Sequence, residues 1–130
     1  MATKTRPALS LSPKEKKAVR EFITMAGLAY GEKIQHAALF GSKVRGDDTK
    51  YSDVDILLIV AEEDRKFHRS IIQMAAEIEL KYNILLDVRI IPTARWRYLA
   101  EIQSGLYKNI SRDAVALRLH KRITPASGAG

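Results

Sequence analysis

The 130-residue sequence contains no cysteine, and only 7% of its residues are aromatic. Without cysteine the chain has no disulfide, no thiolate metal site and no cysteine nucleophile, a composition that fits a reducing cytoplasm. No apolar run approaches the length of a membrane span, and residues 1–10 lack the apolar segment of a signal peptide. We therefore expect a cytoplasmic protein without a membrane partner.

What the sequence does contain is an ordinary globular composition, with 46% apolar and 28% charged residues. Lysine and arginine outnumber aspartate and glutamate by 22 to 15, which gives a formal net charge of +7. This excess favours anionic partners, although a solvated basic surface explains it equally well. Nucleic acid remains among the candidate partners, but it is not favoured because no nucleic-acid-binding motif is present.

Hydrophobic periodicity predicts one α/β domain over residues 12–123, with a flexible arm at 1–11 and a disordered tail at 124–130. We expect a small mixed β-sheet packed against helices. The predicted strands are 33–40, 53–61 and 83–92, and the predicted helices are 13–29, 63–82, 93–104 and 111–121. Because the segment from Phe40 to Asp53 is too short for a crossover helix, the first two strands should be antiparallel or joined around a single helical turn.

The first half of the stretch FGSKVRGDDTKYSDVDI, residues 40–56, has the character of a phosphate-binding turn. A strand that turns at Gly41-Ser42 into a short helix directs backbone N–H groups at one place, and glycine lets an anion approach closely. Ser42 adds a hydroxyl, while Lys43 and Arg45 add positive charge. The alternative is an ordinary Gly-Ser turn with basic neighbours.

The second half of the stretch predicts a metal site. Asp53 and Asp55 are two residues apart at the start of a strand, so their carboxylates project from the same face and repel one another. A divalent cation such as Mg²⁺, which prefers oxygen ligands and retains positions for substrate phosphates, would relieve that repulsion. Alternatively, Asp53 caps a turn and Asp55 lies at an exposed strand end.

A third carboxylate, Asp87, interrupts the apolar strand ILLDVRII, where an unpaired charge is unfavourable. If this strand lies beside the strand from residue 53, Asp87 joins Asp53 and Asp55 on one face. Three carboxylates facing a phosphate-binding turn indicate metal-assisted phosphoryl or nucleotidyl transfer, with Asp87 as a base for the acceptor hydroxyl. The alternative is a salt bridge between Asp87 and Arg89 on a sheet edge.

These motifs resemble the signature of the polymerase-β-like nucleotidyltransferase superfamily, in particular the minimal nucleotidyltransferases, over about residues 14–108. The match consists of Gly41-Ser42-x-x-Arg45-Gly46, five further residues, Ser52-Asp53-x-Asp55, and the later LDVRII. Val44 replaces the small residue that usually precedes the arginine. The resemblance implies a nucleotidyltransferase fold that binds a nucleoside triphosphate, usually ATP, together with Mg²⁺. It also implies roles for the matched residues: nucleotide or phosphate contacts from Gly41, Ser42, Lys43, Arg45 and Ser52, and catalysis and metal binding by Asp53, Asp55 and Asp87.

The resemblance further implies a function and a partner. Minimal nucleotidyltransferases often act with a helical HEPN toxin as its antitoxin, and some transfer AMP to a tyrosine of that toxin. We expect the same activity here. The alternatives are nucleotidyl transfer to a small molecule such as an aminoglycoside, and a non-catalytic antitoxin that neutralises its toxin by binding.

Overall fold

The computed structural model describes residues 10–46, 52–62 and 64–119. The predicted arm lies outside these residues except for Ser10 and Leu11, and the predicted tail lies wholly outside them. In chain order the elements are α1 (Pro13–Tyr30), β1 (Ile34–Phe40), α2 (Ser42–Arg45), β2 (Val54–Val60), α3 (Arg65–Tyr82), β3 (Leu86–Pro92), α4 (Thr93–Glu101), α5 (Gly105–Asp113) and β4 (Val115–Leu117). Among the described helices, none combines the length and apolar character needed to cross a membrane.

The two long helices begin at capping residues that are visible in the sequence. Ser12 precedes α1, where its hydroxyl accepts a hydrogen bond from the Glu15 backbone N–H at 3.1 Å. The Glu15 carboxylate accepts one from the Ser12 N–H at 2.9 Å, which completes a capping box. Asp64 caps α3 by accepting hydrogen bonds from the backbone N–H groups of Lys66 and Phe67. The chain thus enters both helices at defined positions.

The strands form one four-stranded mixed sheet in the order β3-β2-β1-β4. β1 and β2 are antiparallel and are joined around the single turn of α2, as predicted. β2 and β3 are parallel, and α3 makes the crossover between them. The predicted fold class, α/β with a small mixed sheet packed against helices, is confirmed.

The core lies on both faces of β2. The larger cluster packs α1 and α3 against one face of the sheet through Phe22 and Phe67, which are 0% and 2% exposed. A smaller cluster on the other face joins Leu57 and Ile59 of β2 to Ile110 of α5. Because side chains alternate along a strand, Asp55 shares the face of Leu57 and Ile59. The carboxylates therefore project on the side of the sheet that α4 and α5 cover only in part.

The predicted helix at 111–121 is wrong. Helix α5 instead begins at Gly105, behind the N-cap Ser104, and ends at Asp113. Val115–Leu117 forms the edge strand β4, which pairs antiparallel with β1. Val115 and Leu117 pack against the larger core cluster, so sheet pairing and burial override the helical spacing of the apolar residues. The stretch SGLYKN, residues 104–109, is the cap and first turn of α5.

Candidate active site

The phosphate-binding turn and the first carboxylate lie against each other. Phe40, the last residue of β1, pairs in register with Asp55 of β2, so Gly41 follows directly beside that aspartate. Gly41 has a φ of 86°, in the left-handed region that favours glycine. A Cβ atom added at Gly41 would lie 2.0 Å from the Asp55 Oδ2 atom. Backbone conformation and space therefore both require glycine here.

Helix α2 is a single turn that starts immediately after Gly41. The N–H groups of Val44 and Arg45 both donate to the Gly41 carbonyl at 3.1 Å, and Gly46 closes the turn by donating to the Ser42 carbonyl at 2.8 Å. Helix geometry directs the N–H groups of the first residues out of the turn. Ser42, as the first helical residue, therefore lies at the end of the turn where the phosphates are predicted to bind.

The structure brings Asp55 and Asp87 together. They are register partners on the parallel strands β2 and β3, so their carboxyl groups lie side by side. Burial, followed by the neighbouring Asp87 and Asp53 carboxylates, raises the pKa of Asp55 to about 6, while Arg89 acts in the opposite direction. Asp53 lies two residues before Asp55 and is exposed. The site is therefore negatively charged and incompletely neutralised by the protein.

This donor set fits a magnesium ion. Across residues 10–46, 52–62 and 64–119, no three histidine, cysteine, aspartate or glutamate side chains converge closely enough to hold a metal by themselves. Of the three predicted metal ligands, Asp55 and Asp87 thus form a close pair, and Asp53 lies beside it. Mg²⁺ commonly takes one or two protein carboxylates and fills its other positions with water and substrate phosphates. A repelling carboxylate pair next to a phosphate turn meets that requirement.

The alternative partner for Asp87, Arg89, lies at the limit of an ion pair. The Arg89 Nε atom is 4.0 Å from Asp87 Oδ2, and the two side chains are 49% and 42% exposed. Such an exposed, long contact contributes little free energy. β3 is an edge strand of the described sheet, so Asp87 remains accessible to solvent and to a substrate.

Two of the predicted phosphate-binding residues, Lys43 and Ser52, face a different hollow. The Lys43 side chain is 6% exposed, and its ammonium group lies 3.0 Å from a Glu15 oxygen of α1. Lys43 and Ser52 both line a hollow of about 610 Å³ beside the start of α1. None of the three aspartates lines this hollow. A triphosphate role for these two side chains therefore stays a prediction.

Sequence reasoning missed Asp113. This residue ends α5, and its side chain is only 5% exposed. Its carboxylate accepts a hydrogen bond from Arg45 Nη1 at 2.7 Å and another from Arg112 Nε at 2.9 Å. These guanidinium groups, Arg112 first and then Arg45, hold the pKa of Asp113 below its ordinary value. No spacing in the sequence connects residues 45 and 113, so only the folded chain reveals their contact.

The aromatic residues of α4 divide between the core and the surface. Trp96 packs against the smaller core cluster, and its ring lies 5.1 Å from the ring of Tyr107. Tyr98 and Ile102 are by contrast 58% and 52% exposed. The ring contact supports a packing role for Tyr107 and leaves an apolar patch on the outer side of α4.

Comparison with known proteins shows the family. The description "Polymerase beta, Nucleotidyltransferase" matches residues 26–111, which include the Gly41-Ser42 turn and all three aspartates. The chain therefore belongs to this nucleotidyltransferase family. It is an enzyme of that class, and its mixed sheet with flanking helices is the nucleotidyltransferase fold.

The names of two relatives are consistent with this class of enzyme. Two proteins of Methanocaldococcus jannaschii, both provisionally named protein adenylyltransferases, are each 37% identical to the chain. The first match covers 56% of this chain and 69% of the relative, and the second covers 53% and 71%.

Solved structures give a more remote likeness. A toxin–antitoxin structure with AMP-PNP has 21% identity and a TM-score of 0.46, with 82% of this chain and 71% of that chain covered. A mutant of the toxin–antitoxin pair MntA-HpeT has 18% identity and the same TM-score, with 83% and 74% covered. These likenesses are too remote to indicate a substrate or a partner.

Proposed function

We propose that this protein uses Mg²⁺ and ATP to transfer AMP to a hydroxyl group of a partner protein. The proposed acceptor is a tyrosine of a HEPN toxin, so that the protein acts as an antitoxin. The observation that carries the proposal is the contact of the Asp55 carboxylate with Gly41, because it joins a phosphate turn to a carboxylate pair. The two relatives named as protein adenylyltransferases support AMP as the transferred group and a protein as the acceptor.

In the proposed reaction the acceptor hydroxyl attacks the α-phosphorus of ATP. A new phosphorus–oxygen bond forms to the acceptor, the bond between the α-phosphorus and the bridging oxygen breaks, and pyrophosphate leaves. Asp87, which is 42% exposed and next to Asp55, takes the proton of the hydroxyl. The Gly41-Ser42 turn binds the phosphates through its backbone N–H groups and the serine hydroxyl.

Asp55 and Asp87, with Asp53 beside them, would hold the magnesium together with the substrate phosphates. When bound, the ion would neutralise charge that develops on the phosphate oxygens. The protein's own contribution is to keep two carboxylates side by side despite their repulsion. Rigid, paired strands are suited to this, since each backbone is fixed by the β2–β3 register.

The resemblance described above supports a HEPN toxin as the partner. One structural observation also favours a protein acceptor over a small molecule. Tyr98 of α4 and Ile102, which directly follows that helix, expose apolar surface, and Arg95 and Arg97 of α4 are exposed as well. Exposed aromatic and arginine side chains are enriched at protein interfaces. A small hydroxylated acceptor would make no use of such a surface.

The test is transfer of label from ATP. The purified protein is incubated with ATP labelled at the α-phosphate, Mg²⁺ and the product of the neighbouring gene, tested as the proposed HEPN toxin. We expect label on that protein, and none after chelation of Mg²⁺ or in the Asp53→Ala/Asp55→Ala variant. Replacement of the acceptor tyrosine by phenylalanine should also prevent labelling.

Two other results would redirect the assignment. Label on an aminoglycoside, with none on the protein partner, would favour the small-molecule alternative. Full neutralisation of the toxin by the Asp53→Ala/Asp55→Ala variant, with no transfer by the wild type, would favour a non-catalytic antitoxin. The aspartate substitutions are on or next to a strand end rather than in the core, so the fold should survive them.

A further inference from the structure

Asp113 is a buried carboxylate that the chemistry described above does not use. Its side chain is 5% exposed and sits at the end of α5. An ionised carboxylate at such a depth requires charged or hydrogen-bonding partners. Asp113 receives them from two directions, since Arg45 donates to Oδ2 at 2.7 Å and Arg112 donates to Oδ1 at 2.9 Å.

Arg45 connects Asp113 to the phosphate turn. Three consecutive residues of α2 are each held by a different part of the fold. Lys43 pairs with Glu15 of α1 at 3.0 Å, Val44 is 1% exposed in the core, and Arg45 bonds to Asp113 of α5. A one-turn helix has too few internal hydrogen bonds to fix its own orientation. These side-chain attachments therefore determine where the turn points.

The Arg45 contact is the attachment nearest to the active face. Helix α5, which carries Asp113, packs on the same face of the sheet as Asp55, through Ile110 against the smaller core cluster. Helix α1, which holds Lys43, packs on the opposite face. Loss of the Arg45 contact would release α2 on the side of the sheet that carries Asp55.

We propose that Asp113 is a positioning residue for nucleotide binding. It holds Arg45, and through Arg45 it fixes the Gly41-Ser42 turn against Asp55, so that the N–H groups of the turn face the triphosphate. This inference rests on the proposed function, because it takes that turn as the phosphate site. Asp113 itself does not touch the nucleotide, since it is buried and negatively charged.

The test compares two substitutions that remove bonds to the same carboxylate. Arg45→Lys replaces the guanidinium group with an ammonium group on a shorter side chain, which removes the bond from α2 to Asp113. Arg112→Gln removes the bond made within α5. We expect Asp113→Asn and Arg45→Lys to weaken binding of ATP with Mg²⁺ by about ten- to hundredfold, the range for loss of one charge-assisted hydrogen bond. Arg112→Gln should change the Kd by about twofold or less, because it leaves α2 attached.

The same measurements separate positioning from direct phosphate binding by Arg45. If Arg45 binds the phosphates itself, Asp113→Asn removes one competing partner of its guanidinium and leaves the affinity unchanged or higher. If it acts through Asp113, the Arg45→Lys/Asp113→Asn double variant is no weaker than the weaker single variant. Asp113→Glu should restore part of the affinity. In the transfer assay, KM for ATP should rise more than kcat falls.

Calorimetry with ATP and Mg²⁺, run below the melting temperature of every variant, gives the decisive comparison. A lower melting temperature for Asp113→Asn with an unchanged Kd would show a role in stability alone and overturn the inference. If Asp113→Asn does not fold, the Kd values of Arg45→Lys and Arg112→Gln are compared instead. Failure of the wild-type protein to bind ATP would instead overturn the proposed function, and this inference with it.

Discussion

The carboxylate of Asp55 occupies the space that a side chain at Gly41 would need, with its Oδ2 atom 2.0 Å from the position of a Cβ atom. The contact follows from the register of β1 and β2, in which Phe40 faces Asp55. One glycine thus serves two requirements, a left-handed backbone and the close approach of a carboxylate.

Gly41→Ala should therefore disable the site. The substitution strains the backbone by about 1–3 kcal/mol and displaces Asp55. Because a shift of about 1 Å in a reacting group costs about a hundredfold in rate, we expect at least that loss in AMP transfer. Gly105→Ala is the matched control, since nothing lies within 4 Å of the added methyl group. It should keep full activity, and equal losses in both variants would contradict the role of the contact.

The metal-free protein should lose stability as the pH rises from about 4 to about 6. Asp55 has its pKa raised from 3.8 to about 6 in the folded state, so the native protein binds more protons than the unfolded chain within this window. The free energy of unfolding should fall there by about 1 kcal/mol, after a discount for the solvent that reaches this half-buried group. Urea denaturation in the presence of a chelator measures it. In the Asp55→Asn variant the free energy of unfolding should not fall over this pH range. If it still falls, the effect belongs to another group.

Mg²⁺ and ATP should stabilise the folded protein. A ligand that binds only the native state at about 100 times its Kd adds about 2.7 kcal/mol, which appears as a higher melting temperature. We expect no such increase in the Asp53→Ala/Asp55→Ala variant. Asp64→Asn is the control, because Asp64 caps α3 and pairs with Lys33, away from the three site carboxylates. An increase of equal size in the double variant would place the ligand elsewhere.

Lys43 should matter for stability more than for nucleotide binding. Lys43→Met leaves the Glu15 carboxylate, which is 14% exposed, without its ammonium partner. Breaking a buried pair from one side costs about 3 kcal/mol, measurable by urea denaturation. The Kd for ATP, measured on the folded variant, should change by about twofold or less, because the ammonium group contacts α1. A large loss of affinity at unchanged stability would instead restore the role in phosphate binding that its sequence position predicts.

Much of the fold was predictable because its signals are local. The capping box at Ser12, the helical period of α3 and the apolar run of β2 each depend on neighbouring residues. The two carboxylates of β2 and the glycine turn were likewise visible as a short motif. Asp87 was predictable in part, since an aspartate within an apolar strand signals a special environment.

The errors and omissions concern contacts between distant parts of the chain. The strand Val115–Leu117 contains three residues, too few for a period, and its identity depends on pairing with β1. The start of α5 at Ser104 has a local signal, an N-cap serine that accepts from the Tyr107 N–H, whereas the sequence prediction places residue 104 at the end of the preceding helix. The bond between Arg45 and Asp113 has no local signal at all.

The parallel pairing of β2 and β3 has a consequence for folding. Asp55 and Asp87 lie on opposite sides of the whole of α3 in the sequence, and they meet only when the crossover has closed. Contacts between distant residues form slowly, because the loop entropy is lost before the contact forms. Catalytic activity should therefore return later in refolding than helical structure, so that AMP transfer reports completion of the sheet.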